Sequence, residues 1–538
     1  MMEAASARER QGRREKGRAA RRRAARRRLA WQRRSPQRHQ RTDGRPGMTE
    51  GKRPLAQRFT RSPGRGAGLL AAALACWPVA AWAQQGQTET GSKAPALLIP
   101  IEPPEALPDT GTAGGFSFNL RPLGAGLGRT LADHGVYVVG SELAEPLGNV
   151  SGGVKQGGFF EGLTTAGLDF DMARIAGIQG GAVHFLLSDI QGQNFAAYSG
   201  SSYLNNRIFA GDGPTFRLNE LSYEQSLFDK GLNLRIGRIP AYTQFDGSEL
   251  YCTFVTTLCR TPAAYTFDRG YPPYPASSYA AVLQARISGP FYANIAVYEN
   301  EPVLSTTSHH GFPGRDWGLN YANGATVPVQ LGYRTTAQDD RFPRAFAVGG
   351  FYNTGRYADP LLNASGQSRA RFGGPARTDT GASQIYVQGQ QMVYRPDTSD
   401  KGLTLFAGAN WAASGQPSVQ RMVFGGAYWK GPISGRPNDT LGTAVSLVSV
   451  NPRIAARAGT VLSKSSGGQA SRSEISYEVN YGVAVAPGLT LKPFVQLISH
   501  PDQSGSVAPS GNNTQALFVG ALFEANMASL FGLPTLGR

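Results

Sequence analysis

The chain has 538 residues, three cysteines and a formal net charge of +17. Residues 1–66 hold 22 Lys and Arg against 5 Asp and Glu, residues 67–83 hold no charge, and residues 84–538 hold 32 of each sign. The whole excess therefore sits at the N-terminus, which excludes a uniformly basic nucleic-acid-binding body, and the few cysteines exclude a small disulfide-dense scaffold.

Residues 1–47 are Arg-rich, as in Arg21-Arg22-Arg23 and Arg26-Arg27-Arg28, and have few apolar residues to bury. Such a run is expected to be disordered. As a functional element it would be a nucleic-acid-binding arm. We read it instead as an extension upstream of the true start at Met48, because an arm ahead of a signal peptide is removed with it. Residues 48–83 carry the three parts of a secretory signal peptide in order. Lys52, Arg53, Arg58, Arg61 and Arg65 come first, an apolar stretch from Ala67 to Ala80 follows, and Ala81-Trp82-Ala83 precedes Gln84. The apolar stretch is too short and too rich in Ala for a membrane anchor. Lipoprotein processing at Cys76 lacks the Leu expected three residues earlier, where Ala73 stands. Residues 84–115, with Pro103-Pro104 and Gly114-Gly115, read as a periplasmic linker, and residues 116–538 as a single barrel domain.

Past residue 83 no apolar run reaches the 18 or more residues of a spanning helix. Segments of roughly ten residues alternate apolar and polar with period two, bounded by Gly, Pro, Asn and Asp. They predict strands near 134–145, 158–170, 180–189, 215–226, 231–240, 278–287, 291–299 and 325–335. The series continues at 343–354, 382–395, 402–412, 419–430, 439–450, 473–486, 488–500 and 514–524. Links such as Phe228-Asp229-Lys230 and Ser288-Gly289-Pro290 are short, whereas 190–214, 241–277, 300–324 and 355–381 are long. An even strand count with short turns on one side and long loops on the other is the pattern of an all-β, 16-stranded antiparallel transmembrane β-barrel. A barrel of that size has room for an aqueous channel.

The alternation fits lipid outside and water inside. In the second segment Phe160, Ala166, Leu168 and Phe170 share one face, while Glu161, Thr165, Asp169 and Asp171 share the other. A charge facing lipid near the midplane costs roughly 2–4 kcal/mol for Arg or Lys, so the charged face is read as inward. The third segment repeats this, with Val183, Phe185 and Leu187 outward and His184, Leu186 and Ser188 inward. Cys252 and Cys259 are seven residues apart in an exported chain and are read as a disulfide, with two free thiols as the alternative. No His lies nearby to complete a zinc site.

In their order along the chain, several stretches make the sequence resemble the carbohydrate-selective porins of the OprB type over roughly 120–524. They include Arg217-Leu218-Asn219-Glu220-Leu221-Ser222-Tyr223-Glu224-Gln225, Gly237-Arg238, Leu250-Tyr251-Cys252 and Tyr274-Pro275-Ala276-Ser277. Further matches are Val327-Pro328-Val329, Gly349-Gly350-Phe351-Tyr352-Asn353-Thr354, Gln390-Gln391-Met392-Val393-Tyr394-Arg395-Pro396, Asp439-Thr440-Leu441-Gly442, Asn451-Pro452-Arg453 and His500-Pro501-Asp502. The opening segment departs from the family's usual Trp-Gly-Gly and reads Gly124-Ala125-Gly126-Leu127-Gly128. The chain also ends Thr535-Leu536-Gly537-Arg538 rather than on an aromatic, which leaves Phe523 as the candidate terminal aromatic. The resemblance implies a Gram-negative outer-membrane channel passing small sugars by diffusion, with a general or weakly ion-selective porin as the alternative.

The inward residues expected to line such a channel are Glu220, Ser222 and Glu224 on the fourth segment and Asn233 and Arg235 on the fifth. Arg238, Asp169, Asp171 and His184 join them. Ionised groups and amides suit sugar hydroxyls, although the same residues also read as a structural ion-pair ladder. The link 241–277 corresponds to the loop that folds into the lumen of general porins. It carries Tyr242, Phe245, Asp246, Tyr251, the cysteine pair, Arg260, Asp268 and Arg269, and is expected to narrow the passage. No catalytic set, metal site or cofactor is expected: His309-His310 lacks the H-E-x-x-H context, and the carboxylates are scattered. The expected partners are small neutral sugars and outer-membrane lipid, without nucleic acid. Monomer and homotrimer are both compatible, since trimer and lipid contacts are alike apolar.

Overall fold

The computed structural model describes residues 121–536 except 202, 205, 207, 209–214, 242–243, 260–269, 273, 302–321, 466–470 and 502–512. The segments 1–47, 48–83 and 84–115 lie outside the described residues, as does His309-His310.

Sixteen antiparallel strands form a closed barrel. They are β1 (Val136–Gly152), β2 (Gly157–Asp171), β3 (Gly181–Gly192), β4 (Thr215–Leu227), β5 (Leu232–Ile239), β6 (Ser278–Ser288), β7 (Phe291–Glu299) and β8 (Ala325–Arg334). The circle continues with β9 (Arg344–Asn363), β10 (Ala376–Tyr394), β11 (Gly402–Ser414), β12 (Val419–Lys430), β13 (Thr440–Val450), β14 (Ser473–Ala486), β15 (Leu489–Ser499) and β16 (Gln515–Asn526). β16 closes on β1, with Leu147 opposite Gly520. Helices lie in the connections and at the ends: α1 (Arg121–Asp133), α2 (Met172–Ala176), α3 (Ala196–Ser199), α4 (Arg369–Phe372), α5 (Pro452–Ser465) and α6 (Met527–Phe531).

The outer face is the apolar half of the alternation. Val445 stands opposite Tyr477, and Val479, Val495 and Val519 run in register across β14, β15 and β16. All five are exposed large side chains in the isolated chain, as a lipid-contacting belt requires. The other half points inward and is buried among itself and the loops.

Two links expected to be loops are strand. β1 runs on to Gly152 and β2 starts at Gly157, and β9 and β10 take up most of 355–381. The period-two alternation continues there, with Tyr357 and Asp359 buried and Arg356 and Ala358 exposed. Beyond the bilayer the outer face of a hairpin meets water, so it needs no apolar residues and hydropathy alone misses it. The extension is fixed by Asp359, whose fully buried carboxylate pairs with Arg377 at 2.8 Å and with Arg453 at the start of α5.

The opposite end of the barrel holds the short turns. Phe228, Asp229 and Lys230 all take left-handed backbone angles, with φ of 52°, 50° and 62°, to reverse the chain between β4 and β5. The C-terminal tail also has a place there. Asn526 caps α6 by accepting from Ser529 N at 2.9 Å. Beyond it, Leu533 and Pro534 lie so close to Gly128 of α1 that a Cβ added at that glycine would stand 2.8 Å from Leu533 Cδ2. The glycine-rich opening segment is therefore a helix that receives the tail.

The turn 431–439 is locked to β14 by Asp439. Its carboxylate accepts from Arg436 Nε and Nη2 at 2.6 and 2.8 Å, from Tyr481 OH at 2.7 Å and from Ala484 N at 3.0 Å. Burial pushes the Asp439 carboxyl up, but the bonds from Arg436, Tyr481 and Ala484 outweigh it and hold the group below the usual carboxylate range. A depressed carboxyl contributes stability above its unfolded pKa, about 3.9, and loses it as pH falls through the folded value. Asp439→Asn is expected to destabilise the folded barrel by roughly 1–3 kcal/mol at pH 7, with the gap closing as pH drops below about 4. Urea denaturation in detergent at both pH values checks this, and an equal gap at pH 7 and pH 3 counts against it.

Candidate functional site: the barrel lumen

The described residues of the long connection after β5, which runs from 240 to 277, fold into the barrel and are tied to strands on several sides. Asn294 Nδ2 of β7 donates to Gln244 O at 3.0 Å, and Gln388 Nε2 of β10 donates to Gly247 O at 2.9 Å. Ser248 Oγ donates to Gln390 Oε1 at 2.7 Å. Farther round, Glu478 of β14 accepts from Val255 N at 2.9 Å and from Thr256 N at 2.8 Å. Lys492 Nζ of β15 donates to Thr253 O at 2.8 Å.

Aromatic packing complements these bonds. Tyr251 lies 5.3 Å from Phe406 and 5.1 Å from Phe424 between ring centroids, and Phe254 lies 5.3 Å from Phe406. Phe245 sits 6.5 Å from Phe351. Such pairs add roughly 0.5–1.5 kcal/mol each beyond area burial. Within the loop, Cys252 and Cys259 form a disulfide between two short 3-10 turns, Glu249–Thr253 and Thr257–Cys259.

The connection after β3 turns inward as well. Glu161 accepts from Phe195 N at 3.1 Å, and Glu474 accepts from Leu204 N at 2.8 Å. Asn206 donates to Glu145 and forms a β-bridge with Thr256, which joins the two inward loops. An apolar cluster including Phe195, Tyr198, Ile208 and Val255 of these loops packs against Phe159, Phe494 and Phe518 of the wall.

A ladder of charged side chains lines the wall from β2 to β5. His184 Nδ1 lies 2.6 Å from Asp169 Oδ1, and its Nε2 lies 3.5 Å from Glu224 Oε2. Arg235 holds Glu224 at 2.7 Å and reaches Glu220 Oε1 at 3.3 Å. Ser222 Oγ also donates to Glu220. Strand register produces this, because Asp169 faces His184, His184 faces Ser222, and Glu224 faces Arg235. All are buried, so removing one partner strands the other and costs roughly 3–5 kcal/mol.

Two residues read as inward from the sequence stand elsewhere. Arg238 is in register with Leu221 and Tyr279, on the face opposite Arg235. Its Nη2 donates to Ser277 O at 2.5 Å, and its guanidinium lies 5.2 Å from the Tyr279 ring centroid. Residues three apart on a strand cannot share a face, so this correction follows from strand geometry. Asp171 ends β2 and accepts from Ala173 N at 2.9 Å as the cap of α2, where a carboxylate suits the helix N-terminus. Its carboxylate is therefore at the turn, outside the ladder. Phe245, Asp246 and Tyr251 are buried in the inward loop, whereas Tyr242, Arg260, Asp268 and Arg269 lie outside the described residues.

The sequence reading did not single out Glu474, Glu478, Gln388 and Asn294, which hold the loops. Their signal was inward parity on strands otherwise apolar on the outside. Among the described residues no group of three His, Cys, Asp or Glu is placed to hold a metal ion.

A closed sixteen-strand barrel with an apolar belt, short turns at one end and loops folded into its lumen is an outer-membrane porin. Residues 155–527 match the carbohydrate-selective porin, OprB family, and the chain belongs to that family. It is a carbohydrate-selective diffusion channel of the Gram-negative outer membrane. Porin B of Pseudomonas aeruginosa is 23% identical over 397 residues, covering 70% of this chain and 86% of that protein. The putative porin QuiX of Acinetobacter baylyi is 22% identical over 398 residues, covering 69% of this chain and 86% of that protein. The high-pH structure of Pseudomonas putida OprB superposes with a TM-score of 0.65 at 21% identity, over 75% of this chain and 97% of that one.

Glu478→Ala leaves the Val255 and Thr256 amides of the inward loop without their acceptor, at a cost of roughly 1–3 kcal/mol per buried group. Single-channel conductance in planar bilayers is expected to rise, with added current noise. Conductance identical to the wild type is the contrary result.

Proposed function

We propose that small neutral sugars pass by diffusion through the opening left between the inward loops and the barrel wall, and that the β2–β5 ladder forms one side of the passage. The observation carrying this reading is the loop tied from β7 and β10 across to β14 and β15. A loop held at such separated points divides the lumen, so a solute has to pass beside it. The ladder Asp169, His184, Glu224, Arg235 and Glu220 supports a preference for neutral solutes, because its charges are paired with one another. Paired groups present a weaker field to a free ion. The balance of 32 basic and 32 acidic residues over 84–538 points the same way.

Liposome swelling separates this reading from a general or weakly ion-selective porin. A neutral hexose is expected to enter faster than a cationic or an anionic analogue of equal size. Equal rates for all three count against neutral selectivity.

The Cys252–Cys259 bond closes the part of the loop nearest Tyr251 and Phe254, and in this reading it stiffens the constriction. Cys252→Ser under oxidising conditions is expected to raise conductance and broaden its distribution. Unchanged conductance and sugar flux remove that role from the disulfide.

A further inference from the structure

The outer face of the barrel changes character at the end that carries the long loops. Long loops mark the extracellular end, so this rim stands at the outer leaflet. Tyr352 and Trp411 are exposed and are the uppermost outward aromatic residues of β9 and β11, the place of the girdle at the edge of the hydrocarbon. Arg356 follows four residues beyond Tyr352 on the same face of β9 and is exposed. With a rise of about 3.3 Å per residue and a tilt of roughly 45°, it stands about 9 Å above the girdle, at the level of headgroups. Arg421 of β12 is exposed and in register with Trp411. From there its stem lies along apolar surface while the guanidinium reaches upward to the same layer.

The rest of this arc suits an anion. No Asp or Glu occupies an outward position on β9 to β13; Asp379 faces in with Tyr357 and is paired with Arg377. Neither Arg356 nor Arg421 has a carboxylate partner among the described residues. Between them Ser383 Oγ of β10 and Ser414 Oγ of β11 stand 2.7 Å apart on the outward face, and Thr380 is exposed opposite Arg356. Two hydroxyls bonded to each other use one proton and keep the second to donate. The arc from β1 to β3 has the reverse sign. Glu142 of β1 and Asp189 of β3 also point outward, each in register with Thr164 of β2. Glu142 Oε2 accepts from Thr164 Oγ1 at 2.5 Å and Asp189 Oδ2 from Gln191 Nε2 at 2.7 Å, and no cation among the described residues neutralises either.

We infer that the extracellular rim from β9 to β12 is a binding surface for the phosphates of the outer-leaflet glycolipid, held by Arg356 and Arg421 with the Ser383–Ser414 pair as a hydroxyl contact. The outer leaflet of a Gram-negative outer membrane is built from a phosphorylated glycolipid, and its phosphates are the anions present at this height. Arg takes a phosphate through two parallel N–H bonds, which suits it to this partner. Position fixes the rest: the apolar residues below the rim meet acyl chains, and the arginines meet the headgroup. The outward carboxylates of β1 and β3 repel the same phosphates. The barrel therefore gathers this lipid along one arc of its circumference, a property separate from the passage of sugars.

The test is binding of fluorescent lipid A to the purified channel in nonionic detergent at low salt, with a chelator present so that no divalent ion bridges the phosphates. The probes are lipid A carrying both phosphates and the same lipid with both removed. Wild-type protein is expected to prefer the phosphorylated form about 25-fold, the product of roughly fivefold for each arginine. Arg356→Gln and Arg421→Gln are each expected to lose about fivefold, and the double variant to bind the two lipids equally. Arg129→Gln removes an exposed cation from α1, at the other end of the barrel, and is expected to keep the preference. The surface is overturned if wild-type protein shows no preference, if the double variant retains it, or if Arg129→Gln loses as much as either rim variant. Glucose-driven liposome swelling reports that each variant is a folded barrel. The wild type alone also decides: its preference is expected to collapse in molar salt, where charge contacts are screened, and a preference that salt leaves unchanged refutes the arginine–phosphate contact.

Discussion

One kind of bond recurs round the lumen of this barrel, from a backbone amide of an inward loop to a carboxylate on the wall. Glu161 takes Phe195 N, Glu474 takes Leu204 N, and Glu478 takes Val255 N and Thr256 N. Each satisfies two demands at once. A carboxylate on the lumen face needs donors once water is displaced, and a loop leaving regular structure carries amides without partners. Hydrogen bonds to charged groups contribute roughly 1.5–3 kcal/mol each, more than neutral ones. The apolar contacts of Tyr251 and Phe254 with Phe406 and Phe424 depend on that placement.

The remaining inward charges divide by wall. On β2–β5 the carboxylates are matched locally, by Arg235 and His184, and the ladder is complete within the wall. On β7–β10 the wall is lined by amides and small residues, and Arg334 stands beside Tyr292 with no carboxylate partner among the described residues. The two sides therefore offer different chemistry to a solute in one passage. One side is paired within the wall, and the other is engaged mainly in holding the loop.

Much of this was legible in the sequence, for a physical reason. A strand between lipid and water must alternate, so the sixteen strands and their faces could be read from hydropathy, and register then placed Asp169 beside His184 and Glu224 beside Arg235. The stretches that carried the family resemblance prove to be fastening points. Gln390 holds Ser248, Asp439 locks a turn to β14, and Arg453 pairs with Asp359 at the far end. Errors arose where the alternation stops being informative. Above the bilayer the β9–β10 hairpin needs no apolar face, and at a strand end Asp171 turns to cap α2. Arg238 was an error of parity, since its position relative to Arg235 already assigned it to the other face.

The sequence alone determined the barrel class, the strand count and the equal numbers of acidic and basic residues over 84–538. Each of these depends on local pattern, and the bilayer imposes that pattern residue by residue. The tertiary structure alone decided which lumen groups are spent on holding loops and which remain available. Glu478 and Arg334 are both inward charges on strands, and nothing local distinguishes them. They differ because the folded loop brings Val255 and Thr256 to Glu478 and brings no acid to Arg334. That is a matter of contacts between residues distant in the chain, which no periodicity encodes.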